Sequence, residues 1–346
     1  MRFNSRGSIR KVIGYEVFAL GLVLVHFLLV VGGLPKVYIT ADEPAYIAGG
    51  YALLKRGTEA LGFLSQRGYP PLLAGLEALL LYVADPSIPV TRLDGWAANF
   101  DTFTESFASY VGHWEPVLFT ARLPTIVLTI LLGVVVYRWA SSLWDPKAGL
   151  LALGALVFDP SLLGHGRLAH TDVGVVAIGT ASLYVVWRWT RTPRWQSALA
   201  GGVLLGLTLL SKVSGLFWAV AAMIQLLVML LHHRQSPHRT QYLLQALLLL
   251  GIGLGAVLGG DAFTWGAVRN SDVPVPAPAY WESALYLRDY TTEVFALGRR
   301  WYEHIWWYYP VAFLVKNPVL LIAGTIVGGV ALIRRGGLPA NTLWLF

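Results

Sequence analysis

Apolar runs of membrane-crossing length recur along this chain, and they constrain its fold more than any other feature. A helix needs about 20 consecutive apolar residues to cross the hydrocarbon core, where no water is present to satisfy backbone N–H and C=O groups. Eight runs approach that length, at 12–34, 117–137, 148–164, 172–189, 196–211, 213–231, 242–265 and 306–333. The third and fifth are short and rich in glycine. Composition agrees: the 346 residues are 56% hydrophobic and 13% charged, against about 25% charged in an ordinary soluble domain. The expected fold class is an all-α polytopic membrane protein, with one transmembrane domain over 1–346.

The N-terminus, "MRFNSRGSIRK", leads into an apolar run reaching about Leu34. That run is too long for a signal-peptide core, and no small-residue cleavage site follows it, so it reads as a retained first span. The sequence stops in "LPANTLWLF", the opening of what reads as a ninth span. A continuation past Phe346, and hence a C-terminal truncation, is expected.

The formal net charge is +7. In a soluble chain that excess would point to nucleic acid, but here short basic cytoplasmic loops account for it, and no nucleic-acid partner is expected. With the N-terminus cytoplasmic, the dense segments "YRWASSLWDPK", "RWTRTPR", "HHRQSPHR" and "IRR" all fall inside. Lys and Arg divide evenly between the two sides, yet most of the outer ones lie in two long loops, which count little for orientation. Among the carboxylates only Glu16 and Asp145 fall inside, so carboxylate chemistry belongs at the outer face of a plasma membrane.

The two long outer loops are 35–116 and 266–305. The first contains "YPPLLAGLEALLLYVA", too short to span and expected to lie as a helix at the membrane surface. The second contains the extended, Pro-rich "VPVPAPAYW" and the aromatic "RRWYEHIWWYYP", which suits an interfacial belt. Glycines in "GIGLGAVLGG" and "GTIVG" have the spacing of close helix contacts.

Several chemistries are excluded. There is no cysteine, so disulfides, thiolate metal sites and cysteine nucleophiles are absent. No Walker loop, GxGxxG, GxSxG or HExxH occurs, and no Asp-x-Asp clamp for a nucleotide sugar.

Five places carry candidate chemistry. In "ITADEPAYIAGG", Asp42 and Glu43 are adjacent, and one of two neighbouring carboxylates in a partly buried setting needs a cation, a metal or a hydrogen-bond donor. Asp42 fits a general base for an acceptor hydroxyl; Thr40 or Asp42 also fits a helix cap, with Pro44 in the first turn. In "GHGRLAHTDVG", Arg167, His170 and Asp172 lie on the same outer side, with Thr171 or Asp172 a ready cap for the fourth span. His165 and His170, five residues apart, make at most a weak metal pair, and a divalent metal stays open. Arg122 stands near the outer end of the second span, where a cation snorkels or serves a function. Lys212 sits in the outer turn between the fifth and sixth spans, and Lys316 about three turns into the eighth, where it needs an anionic partner.

The motif order then resembles the GT-C glycosyltransferases, in particular the ArnT/PMT-like branch of protein O-mannosyltransferases and aminoarabinose transferases. The matching pieces are "ADEPAYIAGGYALLKRG", "YPPLLAGLEALLLY", "ARLPTIVLTILLGVVVYRWA", "HGRLAHTDVG", "GLTLLSKVSGL" and "WWYYPVAFLVKNPVLLI". They run in the family's order across most of 38–322. The resemblance implies a GT-C helical domain with surface helices in the first outer loop and an outer-face active site. It implies Asp42 as base with Glu43 supporting it, Arg122 near the lipid phosphate, and Asp172 as the acidic residue opening the fourth span. The family's "KTP" appears as Lys316-Asn317-Pro318, which keeps the lysine but not the threonine. "HTD" stands where relatives often have "TTD", so His170 bears on substrate contacts.

The implied reaction is inverting transfer from a polyprenyl-phosphate sugar to a hydroxyl of a protein, glycolipid or polysaccharide acceptor. A lipid-phosphate donor needs no nucleotide clamp, consistent with the absent Asp-x-Asp, and cations such as Arg122 and Lys316 suit the leaving phosphate. Two other classes remain: a transporter or flippase, which predicts ionisable groups at span midplanes, and a non-catalytic scaffold, for which Asp42 and Arg122 are dispensable.

Overall fold

The computed structural model describes residues 5–289, 293–302 and 305–334. The ninth apolar run at 338–346 lies outside these residues. Helices dominate, with two short β-hairpins as the only sheet among the described residues. Among the described residues five helices are long and apolar enough to cross a membrane, or six if one bent pair counts as a single span. The protein is an all-α polytopic membrane protein.

The first helix, α1, covers Ser5–Gly32. Four shorter helices follow in the first long loop: α2 Glu43–Arg56, α3 Thr58–Ser65, α4 Pro71–Ala84 and α5 Phe100–Val111. Their shared core is aromatic. Phe63 lies 5.0 Å from Phe100 and 5.1 Å from Phe103, ring to ring, with Tyr51, Trp96 and Phe107 around them. Helix α4 does more than rest on a surface: one side packs on α2 and α6, while Leu76, Leu79, Leu80 and Val83 face outward. Gly50 permits the approach, since any side chain there would overlap the Ala74 carbonyl.

The bundle continues with α6 Trp114–Leu143, α7 Pro146–Val157, α8 Pro160–His165, α9 Thr171–Arg191, α10 Trp195–Ser211, α11 Gly215–His232 and α12 Arg239–Gly260. The run at 148–164 is therefore not one helix. Asp159 breaks it by accepting the Leu162 N–H at 2.8 Å, and Pro160 opens the short α8. Helices α9 to α12 enclose a second core around Trp189, whose indole donates to Gln245 at 2.7 Å. Gly253 and Gly260 of "GIGLGAVLGG" lie against α10, as expected of close helix contacts, and Gly202 and Gly206 of α10 meet α12 from the other side. Gly324 and Gly328 of "GTIVG" touch nothing, so that half of the expectation is not met.

The second long loop forms β1 Trp265–Val268 paired with β2 Ser271–Pro276, then α13 Pro278–Asp289, then β3 Val294–Ala296 paired with β4 Arg299–Trp301. The run at 306–333 is two helices, α14 Tyr308–Lys316 and α15 Val319–Arg334, bent by 108°. Pro318 supplies the break: it has no N–H, and it drives Asn317 to extended backbone (ψ 145°). Lys316 is thus not buried three turns into a span. It ends α14, exposed, at the bend.

Candidate active site

The adjacent carboxylates of "ADEPAY" part company at the start of α2. Glu43 turns inward and is fully buried. Arg122, on the third turn of α6 and only 3% exposed, meets it with a bidentate fork, Nε to Oε1 at 2.7 Å and Nη2 to Oε2 at 2.8 Å. Two backbone N–H groups complete the carboxylate: Thr40 to Oε2 at 2.9 Å and Ala169 to Oε1 at 3.0 Å. Burial alone would raise the Glu43 carboxyl. The Arg122 and backbone hydrogen bonds, with the Arg122 charge, outweigh it and hold the group below its ordinary value. Arg122 also donates to the Val37 and Tyr38 carbonyls, each at 3.1 Å. One ion pair therefore ties α2, α6, the 37–40 segment and the loop before α9. Arg122 does not snorkel; its guanidinium is turned into the protein.

Asp42 turns the other way. It occupies the N-cap position of α2, but its side chain makes no cap hydrogen bond, so capping is not its task. It is exposed and lines a polar cavity of about 540 Å³ with Arg67, Tyr69, Asp101, Glu105 and Tyr286. Arg67 pairs with Asp101 and donates to the Tyr286 hydroxyl at 3.1 Å, closing one wall. The Tyr46 and Tyr69 rings pack 4.5 Å apart beside Asp42. Burial is the main cause that pushes both phenols above their ordinary value, and the Asp42 charge acts in the same direction.

The loop between α8 and α9 joins this cluster through Tyr46. The Tyr46 hydroxyl reaches Thr171 Oγ1 at 3.5 Å, and the charge of Asp172 also bears on that phenol. Asp172 forms an ion pair with Lys212 from the turn after α10. His170, not Thr171 or Asp172, occupies the N-cap position of α9, and its side chain makes no cap bond. Its Nε2 meets His165 Nδ1 at 3.1 Å; burial lowers its pKa, which the Asp172 charge only partly opposes. The two histidines thus engage each other, and among the described residues no group of three or more His, Asp or Glu is placed to hold a metal ion.

Asp42, His170, Asp172 and Lys212 therefore gather around Tyr46 and Tyr69. Three other candidates stand apart. Arg122 is committed to Glu43 and lines a second, mostly apolar cavity of about 590 Å³ with Val37, Tyr38, Trp114, Leu118 and Phe119. Arg167 donates from Nε to the Leu163 carbonyl at 2.7 Å and lies across Gly33. Lys316 is exposed at the α14–α15 bend. Arg67, Tyr69, Asp101 and Tyr286 carried no local signal in the sequence. Arg67 and Tyr286 are 219 positions apart, and only the fold makes them neighbours.

No curated protein and no solved structure matches the chain. Residues 114–255 match the sequence model of the dolichyl-phosphate-mannose-protein mannosyltransferase family. The match begins with α6 and ends within α12, so it includes Arg122, His170, Asp172 and Lys212 and leaves out Asp42 and Glu43. Over residues 114–255, then, the chain is similar to glycosyltransferases of the GT-C type that use a lipid-linked donor, and its helical membrane fold agrees with that likeness.

Proposed function

We propose that the protein transfers a sugar from a polyprenyl-phosphate carrier to an acceptor hydroxyl, with inversion, at the outer face of a plasma membrane, and that Asp42 is the base. The observation carrying this reading is the separation of the two carboxylates. Glu43 is locked by four hydrogen bonds, while Asp42, the next residue, faces an open polar cavity with no side-chain cap bond to occupy it.

In the proposed step the Asp42 carboxylate takes the proton of the acceptor hydroxyl as its oxygen attacks the anomeric carbon. The bond from that carbon to the carrier's phosphate oxygen breaks, and its electron pair stays on the phosphate, which gains negative charge. A cation nearby stabilises that charge. Lys212 is the cation best placed among the candidates, because it pairs with Asp172 beside Tyr46, with part of its side chain exposed. Arg122 acts on the reaction as a positioning residue: it fixes Glu43 and thereby the α2 N-terminus from which Asp42 projects. Arg167, His170 and Lys316 serve as further substrate contacts, Lys316 from the helix bend outside the two cavities. The acceptor is a protein, glycolipid or polysaccharide hydroxyl.

The test is sugar transfer by membranes containing the Asp42→Asn protein, supplied with polyprenyl-phosphate sugar. A base of this kind contributes about 10²- to 10⁴-fold, so transfer should fall by that factor while the amount of folded protein holds. Transfer at the wild-type rate would remove Asp42 from the role.

A further inference from the structure

Glu77, on α4, is 1% exposed, and neither carboxylate oxygen has a hydrogen-bond partner. Its interior neighbours include Thr125 of α6 and the carboxylate of Glu43. Ionisable groups on the elements packed around it are committed to other partners. On α2, Glu43 is held by Arg122, Tyr46 reaches Thr171, Tyr51 donates to the Asp85 carbonyl, and Lys55 donates to the Pro86 and Ile88 carbonyls. On α6, Arg122 is spent on Glu43, Val37 and Tyr38. On α9, Asp172 pairs with Lys212, and α10 has no ionisable residue. The buried cluster of Glu43, Glu77 and Arg122 thus holds two carboxyl groups and one cation. Arg122 can neutralise only one of them, and an unpaired buried carboxylate is strongly disfavoured.

We propose that Glu77 carries its proton at neutral pH and is a positioning residue: as a neutral acid it lets α4 pack behind the Glu43–Arg122 pair, and its ionisation unseats that pair. Burial, with the charge of Glu43, favours the protonated form and outweighs the opposing influence of Thr125. An ionised Glu77 would repel Glu43 in a site from which water is excluded. Glu43 begins α2, so its displacement would move Asp42, the adjacent residue. The consequence is a reversible loss of the site's geometry at alkaline pH.

The functional arm of this inference rests on Asp42 being the base, but the protonation itself does not. Infrared difference spectra of the full chain in detergent, wild type minus Glu77→Gln at neutral pH, should show the C=O stretch of a protonated carboxylic acid. A carboxylate doublet in its place would overturn the proposal, whether or not the protein transfers sugar. In transfer assays Glu77→Gln should keep neutral-pH activity within about threefold and extend the alkaline limb relative to wild type. An unchanged alkaline limb, or loss of neutral activity in a folded Glu77→Gln protein, would refute the positioning role. Should Glu77→Gln fail to fold, Glu77→Met, of similar volume and without a proton to lose, takes the same two measurements with the same expectations.

Discussion

Replacing Arg122 by alanine should destabilise the protein by about 3–5 kcal/mol, the cost of leaving one member of a buried ion pair alone. The structure explains why the upper half of that range applies. Glu43 is fully buried and would keep only the Thr40 and Ala169 N–H groups. The Val37 and Tyr38 carbonyls would lose their donors as well, although they lie in a partly exposed segment that water can reach. Glu43→Gln should cost a similar amount, because it strands the guanidinium. In the double variant Glu43→Gln/Arg122→Ala neither charge remains, so its cost should fall short of the sum of the single costs by at least about 2 kcal/mol. The assay is unfolding by titration with a denaturing detergent in mixed micelles at neutral pH, completed as a double-mutant cycle. Arg122→Lys belongs in the series: it keeps the charge but not the fork, and should fall between wild type and alanine. Additive single costs, or single costs below about 1 kcal/mol, would refute the claim that this pair braces α2 against α6.

Three further outcomes follow from the same geometry. Glu43 is held below its ordinary value of 4.5, so its contribution is present above that pH and is lost as pH falls through the lower folded value; stability measured below pH 4.5 should drop more in wild type than in Glu43→Gln. Lys212→Ala breaks a partly exposed pair, so stability should change by no more than about 1 kcal/mol, while a tenfold or greater loss of transfer is expected if Lys212 meets the leaving phosphate; kinetics against lipid-donor concentration separate the two. Gly50→Ala should destabilise by about 1–3 kcal/mol because its methyl would overlap the Ala74 carbonyl, whereas Gly251→Ala, with open space around it, should be nearly neutral or stabilising; the same detergent titration measures both.

Spans and candidate residues were legible to different degrees. Helices α1, α6, α9, α11 and α12 announce themselves because bilayer thickness demands long apolar runs, a property of contiguous sequence. The breaks at Asp159–Pro160 and Asn317–Pro318 were also written locally, as a capping residue before proline and as a proline after a polar residue, although hydropathy hid both. The acidic pair at 42–43 stood out by its chemistry. Which member is buried did not, because Arg122 lies 79 positions from Glu43 and Ala169 lies 126.

The sequence by itself determined the membrane class and the order of the motifs, since each depends on residue type and spacing along one chain. Only the tertiary structure decided that Glu43 is locked while Asp42 faces a cavity, and that Arg122 turns inward. It alone grouped His170, Asp172 and Lys212 around Tyr46, and it alone set Glu77 in the interior without a partner. The physical reason is that burial and pairing are properties of packed surfaces. A carboxylate's charge, exposure and reach depend on which distant helix supplies its cation, and no local pattern encodes that choice.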